Sequence, residues 1–222
     1  LETQRRVRTK YIIMNEINKS IYNNLELLPE DLQGWNGNSK VFKQLIDAVN
    51  PKVIIEVGTW KGLSAITMAE HIKHTNKCTK IYCVDTWLGA IEFWSSHKST
   101  PERDLLLKNG YPNIYYQFLS NVVHRKVEDI IIPFPNTSYI GYLYFKSQNI
   151  KADMIYIDAS HDEFDVYNDI KHYMEILNTN GVIFGDDYKS WEGVKKAVDR
   201  YSYENDLDVQ LAENNFWVIN KK

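Results

Sequence analysis

The chain has 222 residues, 26 Lys+Arg against 29 Asp+Glu and a formal net charge of −3. That length holds one large domain, or one domain with an appendage, and buries enough surface to need no disulfide staples. With 44% hydrophobic and 25% charged residues it is no disordered chain, collagen or disulfide scaffold, and its balance is wrong for a dedicated nucleic-acid binder. No apolar run approaches the ~20 residues of a membrane span. The two cysteines, Cys78 and Cys83, form a lone C-x4-C pair, neither a zinc site nor a framework. Free thiols suit a reducing compartment, so a cytoplasmic location is expected. The N-x-[ST] triplets at Asn18 and Asn136 come without a signal peptide and read as chance.

In chain order, residues 1–33 are polar and read as a helical N-terminal extension. Its basic cluster Arg5, Arg6, Arg8 and Lys10 reads as a solvated face. Pro29 marks a helix end, and residues 34–38 form a turn-rich loop. Val41, Leu45, Ile46 and Val49 give helical spacing over 39–49. From Lys52 strand and helix alternate. Strands are expected at 53–57, 81–84, 130–132, 154–157 and 182–184. Helices are expected near 64–74, 112–124, 139–149, 162–178 and 191–203. A hairpin at 208–211 and 216–219 ends the chain. The pattern predicts an α/β fold: a doubly wound, mostly parallel seven-stranded sheet with a C-terminal antiparallel β-hairpin.

The most informative stretch is strand 53–57 running into Gly58-Thr59-Trp60-Lys61-Gly62-Leu63-Ser64. Gly58 permits a tight turn or close ligand approach, Gly62 lets the next helix begin near the sheet, and Ser64 suits an N-cap. Glu56 is the odd residue, a carboxylate inside an apolar strand. A phosphate-binding turn gains nothing from such a charge, whereas a ligand with a cationic amino group does. The turn also lacks the middle glycine of the dinucleotide pattern. The second strand ends in Asp85, placed to accept both hydroxyls of a ribose, and Thr86 and Trp87 follow.

Here the sequence resembles the Rossmann-like, class I S-adenosylmethionine-dependent methyltransferases. The E-x-G-x-x-x-G-x-S turn and the V-D-T-W strand end are similar to a subgroup including macrolide-sugar O-methyltransferases and cephalosporin-hydroxylase-like proteins. The resemblance covers roughly residues 34–220, so residues 34–222 are expected to form the methyltransferase domain. It implies that Glu56, Gly58, Thr59 and Gly62 cradle the methionine part of the cofactor, with Ser64 near its carboxylate. Asp85, Thr86 and Trp87 would lie at the ribose, and the segment holding Asn136 and Ser138 would hold the adenine.

A second constellation is Asp158-Ala159-Ser160-His161, followed by Gly185-Asp186-Asp187-Tyr188. Both segments follow apolar strands, and ligands in an open parallel sheet bind at the carboxyl ends. Asp158, Asp186 and Asp187 should converge there. Gathered carboxylates repel unless a cation neutralises them, and an all-oxygen set selects Mg²⁺, with Mn²⁺ as substitute. The bland alternative is a set of turn and cap residues. D-x-x-H…D-D-Y resembles the metal site of the sugar O-methyltransferases, which implies Asp158, Asp186 and Asp187 as ligands and His161 as general base. A divalent ion would lower the pKa of an acceptor hydroxyl while a neighbouring base removes its proton.

The expected function is therefore metal-dependent transfer of a methyl group from S-adenosylmethionine to a free hydroxyl of a small molecule or glycan, a sugar by resemblance. The alternatives are a non-sugar hydroxyl, an NAD-dependent oxidoreductase and a non-catalytic ligand-binding domain. The first residue is Leu rather than Met, which suggests the methylating domain of a larger glycan-building polypeptide. The long connection 88–111 and the aromatics Trp35, Trp60, Trp87, Trp94, Tyr188 and Trp191 are expected to wall an acceptor pocket. His71, His74, His97, His124 and His172 read as surface or capping residues. The sequence leaves the oligomeric state open.

Overall fold

The computed structural model describes residues 21–75, 77–95, 100–213 and 215–221. The basic cluster at Arg5–Lys10, the Asn18 triplet and His97 lie outside the described residues, as do residues 1–20 of the expected helical extension over 1–33.

Seven strands form one sheet in the order β3-β2-β1-β4-β5-β7-β6. They are β1 Val53–Val57, β2 Lys80–Asp85, β3 Ile131–Pro135, β4 Ala152–Ile157, β5 Leu177–Gly185, β6 Val209–Ala212 and β7 Phe216–Asn220. Strands β1 to β5 are parallel, while β7 runs antiparallel to both β5 and β6. The helices are α1 Lys40–Val49, α2 Leu63–His74, α3 Ile91–Ser95, α4 Pro101–Asp104, α5 Ile114–His124, α6 Ser138–Gln148, α7 Glu163–Ile176 and α8 Glu192–Glu204. Helices α1, α2 and α5 bury one face of the sheet through Phe42, Ile66 and Phe118. Helices α6, α7 and α8 bury the other through Phe145, Ile170 and Val198. This is the expected doubly wound sheet, its central strands apolar because both faces are covered.

Local chemistry sets the helix starts. Ser39 accepts from Val41 N, Thr137 from Ile140 N and Asp162 from Phe164 N, each satisfying an otherwise orphan donor. Ser64 does not act as the expected cap. Gly62 is the N-cap of α2, and Ser64 sits inside the first turn with its hydroxyl turned to Glu56.

Three boundaries differ from expectation for identifiable reasons. β3 runs to Pro135 through Pro133, which an edge strand tolerates because an outward-facing donor is not needed. β5 begins at Leu177, where it pairs with Ala152; a register shift then carries the polar residues 178–181 before Val182 meets Met154. The connection after β2 is not structureless, since it contains α3, α4 and a small bridge between Lys108 and Tyr111.

The described part of the N-terminal extension corrects the helical expectation. Beyond Ile21 it is a turn and then an irregular strap over 25–34. The strap lies along α5, whose polar side chains satisfy its backbone. Ser120 accepts from Leu28 N and Asn121 from Asp31 N, while Asn121 donates to Asp31 O and Gln117 to Pro29 O. Buried Gln117, Ser120 and Asn121 thus replace the ladder that a helix would have supplied.

Candidate active site

Parallel register brings the site together. Val57 pairs with Val84 and Ile157, and Ile157 pairs with Gly185. The residues one step further, Gly58, Asp85, Asp158 and Asp186, therefore emerge along one sheet edge. A cavity of about 1570 Å³ runs along that edge. Its lining includes Gly58, Thr59, Ser64, Asp85, Thr86, Asn136, Ser138, Asp158, His161, Asp186 and Asp187. A single-ligand pocket usually holds ~300–1,000 Å³, so the space suits a cofactor and an acceptor together.

Gly58 is packed too closely for any side chain. Its φ is +86°, and an added Cβ would stand 2.1 Å from the Asp158 carbonyl oxygen. Asp85 braces the turn that follows. One of its oxygens accepts from Thr59 N and Trp60 N, both at 2.8 Å, and the other from Trp87 N at 2.7 Å. Trp60 holds a φ of +52°, unusual for a bulky residue. Its carbonyl accepts from the Trp87 indole at 2.8 Å.

Three expected cofactor residues lie beneath the cavity rather than on its wall. Glu56 is fully buried, accepting from the Ser64 hydroxyl and from the Cys83 thiol at 3.5 Å. Burial pushes its carboxyl up to about 7, and the Asp85 charge works in the same direction. Trp87 is buried against Phe118 and Tyr115. Gly62 packs on Phe118.

At the other end of the cavity Asp158, Asp186 and Asp187 share a wall, but their side chains are already engaged. Asp158 accepts from the Tyr156 hydroxyl at 2.8 Å. Asp186 accepts from Asn36 at 2.8 Å on one oxygen, and from Asn215 at 2.6 Å and Asp187 N at 2.7 Å on the other. Asp187 faces His161, with Oδ2 3.2 Å from Nε2. Among the described residues no three His, Cys, Asp or Glu side chains stand arranged to hold a metal ion. The donor chemistry itself suits a hard divalent ion. Burial, followed among its causes by the charges of Asp186 and Asp187, raises the Asp158 carboxyl well above the carboxylate range. Burial raises Asp186 too, with Asp187 adding to it. A cation would relieve this repulsion.

His161 stacks on Trp191, with ring centroids 4.1 Å apart and planes 9° from parallel. Its Nδ1 faces Glu92 at 3.7 Å. Burial alone would lower the imidazole pKa, but the hydrogen bond and charge of Asp187, with Glu92 behind them, outweigh burial and raise it. Trp35 and Trp60 also line the cavity, as expected, whereas Trp94 and Tyr188 turn away to Leu88 O and Asp199. His172 lines the cavity too, against its reading as a surface residue.

The residues that sequence reasoning missed are Asn36, Tyr156, Asn215 and Glu92. Tyr156 was legible as a hydroxyl two residues before Asp158 on the same strand face. The other three reach the site only through tertiary folding and carry no local signal.

Sheet order, glycine turn and strand-end acids together have the fold of the class I S-adenosylmethionine-dependent methyltransferases. A sequence profile described as a methyltransferase domain matches residues 55–188, more than half of the chain, and the chain belongs to that methyltransferase family. No curated protein matches it in sequence. Among solved structures it superposes on the O-methyltransferase NovP with TM-score 0.60 at 13% identity, covering 97% of this chain and 99% of that one. An O-methyltransferase from Bacillus cereus in complex with SAH gives 0.57 at 13%, covering 94% and 90%. The calicheamicin methyltransferase CalS11 gives 0.60 at 13%, covering 95% and 92%. At such identities the likeness is one of fold.

Proposed function

We propose that the protein transfers a methyl group from S-adenosylmethionine to a sugar hydroxyl, with Mg²⁺ or Mn²⁺ held by Asp158, Asp186 and Asp187. The carrying observation is that His161, clamped between Trp191 and Asp187, shares one cavity with the glycine turn and Asp85. In this reading Gly58 and Thr59 present backbone to the cofactor, Asp85 takes the ribose, and Asn136 and Ser138 border the adenine. Glu56 acts from below by holding Ser64 and the turn in place. Both ring nitrogens face a carboxylate, Nε2 that of Asp187 and Nδ1 that of Glu92, and the nitrogen without hydrogen in the neutral ring is the base. The base nitrogen of His161 takes the acceptor's hydroxyl proton as the methyl group passes from the sulfonium sulfur to the oxygen and S-adenosylhomocysteine leaves, and Glu92 balances the imidazolium charge. Asp158, Asp186 and Asp187 would hold a divalent ion whose chemistry there would be to lower the pKa of that hydroxyl. Holding it requires the Asp187 side chain to turn from His161.

The two free thiols, exposed Cys78 and buried Cys83, support a cytoplasmic setting. Among the described residues no helix is long and apolar enough to cross a membrane. The resemblance of its motifs to those of the macrolide-sugar O-methyltransferases supports the acceptor class.

The test is calorimetric titration with S-adenosylhomocysteine, with NAD as control, each with Mg²⁺ and with EDTA, followed by labelled methyl transfer to a panel of sugars. Binding of the first compound only, with Mg²⁺-dependent transfer to a sugar, supports the proposal. A folded protein that binds NAD and not S-adenosylhomocysteine overturns it.

A further inference from the structure

Asn215 lies between β6 and β7, at the other end of the chain from Asn36, and the two side-chain amides meet at Asp186. The same two segments touch once more, where the Ser39 hydroxyl donates to Glu213. Asn215 uses both ends of its amide. Its side-chain oxygen accepts from Lys189 N at 3.0 Å and from the Ser190 hydroxyl at 3.2 Å, and its main-chain carbonyl accepts from Tyr188 N at 3.0 Å. Its side-chain nitrogen donates to Asp186 Oδ1 at 2.6 Å and, at 3.4 Å, to Asp187 Oδ1. The two donors facing the oxygen fix which end of the amide is which, so the NH₂ group is committed to the carboxylates.

The two acids are held very differently. Asp186, only 4% exposed, takes Asn36 on Oδ2 at 2.8 Å and both Asn215 and Asp187 N on Oδ1 at 2.6 and 2.7 Å. A carboxylate offers about four lone-pair positions, so these donors leave one, on Oδ2. The Asp187 side chain has the long bond to Asn215 and the contact with His161. Its φ of +69° is unusual for a residue other than glycine. The donors to Asp158 and Asp186 are all neutral: a phenol, two amides and a main-chain N–H. Among the described residues no lysine or arginine pairs with Asp158, Asp186 or Asp187. Trp217, fully buried on β7, lines a small pocket with the same three acids, and its indole N–H has no partner among the described residues. Neutral donors orient a carboxylate without cancelling its charge, which is how the ligands of a metal ion are held from behind.

We infer that Asn36 and Asn215 are positioning residues that hold Asp186 as the fixed arm of a divalent-ion site, with Asp187 left as the arm free to turn. Adjacent carboxylates repel, and without the amides they part. Ion binding must then supply the ordering that the two amides provide in advance. The hairpin that completes the sheet therefore also sets the ion affinity of a site to which it contributes no carboxylate. This inference rests on the metal reading proposed above.

The experiment titrates Mn²⁺ into wild type and variants, follows the free ion by its electron paramagnetic resonance, and needs no acceptor. Thermal melts report folding, and calorimetry reports S-adenosylhomocysteine affinity. Wild type should bind one ion per chain. Asn215→Ala should weaken Mn²⁺ binding by ~10–100-fold and Asn36→Ala by roughly tenfold, with S-adenosylhomocysteine affinity changed by less than about threefold. Ser190→Ala breaks one bond on the accepting half of the Asn215 amide and spares the donating half, so it should change Mn²⁺ affinity by less than about threefold. Asn36→Ala lies outside the hairpin and reads the same carboxylate even where Asn215→Ala fails to fold. Wild-type Mn²⁺ affinity in a folded Asn36→Ala or Asn215→Ala protein overturns the inference. So does a loss in Ser190→Ala as large as that in Asn215→Ala, since the amide would then only be locking residues 188–190. Wild type that binds S-adenosylhomocysteine but no Mn²⁺ overturns the metal reading and this inference with it, and leaves the methyltransferase assignment standing.

Discussion

Gly58 and Gly110 separate two costs that usually come together. Both are glycines in the left-handed region, with φ of +86° and +80°. An added Cβ at Gly110 meets nothing within 4 Å. At Gly58 it meets the Asp158 carbonyl oxygen at 2.1 Å, its carbon at 2.5 Å and the Ala159 Cα at 2.6 Å, all main chain. A left-handed φ costs an L-residue about 1–2 kcal/mol, and restricting the unfolded chain returns ~0.4–1. Gly110→Ala should therefore lose at most ~1.5 kcal/mol. Gly58→Ala adds overlap with backbone that no side-chain rotation relieves, a further ~1–3 kcal/mol or more. For a domain of this size each kcal/mol lowers Tm by ~2–4 °C. Urea and thermal melts of both variants, with calorimetric titration of S-adenosylhomocysteine, should find Gly110→Ala binding normally. Gly58→Ala should be lower in Tm by a further several degrees and impaired in binding, since β1 and β4 must part where the cofactor is expected. Equal stabilities for the two variants would refute the close-approach argument.

Glu56 gives a pH prediction. Its folded-state pKa of about 7 lies above the ordinary 4.5, so the folded protein holds a proton that the unfolded chain has released. The resulting stability is present below pH 4.5 and is lost as pH rises to about 7, at up to ~1.4 kcal/mol per pH unit. Glu56→Gln should flatten that part of the stability curve in denaturant titrations at several pH values; an unaltered slope would mean that Glu56 titrates normally. His161→Ala should cut methyl transfer by ~10²–10⁴ without lowering Tm appreciably, and near-wild-type turnover would assign the base elsewhere. Because Asp187 and Glu92 raise the His161 pKa, the rate should fall as pH drops through that raised value. Glu92→Gln should move this limb to lower pH, and a shift upward would contradict the assignment. Asp187→Asn should remove the sensitivity of turnover to EDTA along with most of the turnover; metal-dependent activity at the wild-type level would exclude Asp187 as a ligand.

Much of the fold was legible because burial on both faces of a parallel sheet leaves short β-branched runs such as Val53–Val57 and 154–157. These read as strands before any tertiary contact is known. β3 and β5 were read too short, since Pro133 and the polar residues 178–181 look like breakers and are tolerated only by their places in the sheet. The strap was legible only as a helix end at Pro29, because its backbone partners, Gln117, Ser120 and Asn121, lie some ninety residues away. At the site, types and positions were readable where the main chain fixes them, as at Gly58, Asp85 and Asp158 on the strand ends. Side-chain direction was not. Glu56 suggested a ligand contact from its charge alone, yet its strand position turns it into the layer beneath the cavity. Asp186 looked like a free carboxylate until Asn36 and Asn215 arrived from opposite ends of the chain.

The strap over 25–34 has a practical consequence for where the protein can be cut. Sequence composition places a boundary at residue 33, and a chain trimmed there would keep every strand and helix of the sheet. It would also expose α5 with three polar side chains that had been matched to the strap, of which Ser120 and Asn121 have no exposed surface. Asn121 would retain its bond to Lys61 O, but Gln117 would lose Pro29 and Lys61 would lose Asp31. The smallest autonomous unit is therefore set by hydrogen-bond accounting and not by the sheet, and it begins upstream of Leu28. Trp35 and Asn36 hang from the end of that strap, so shortening the chain from its N-terminal side should alter acceptor choice before it alters cofactor affinity.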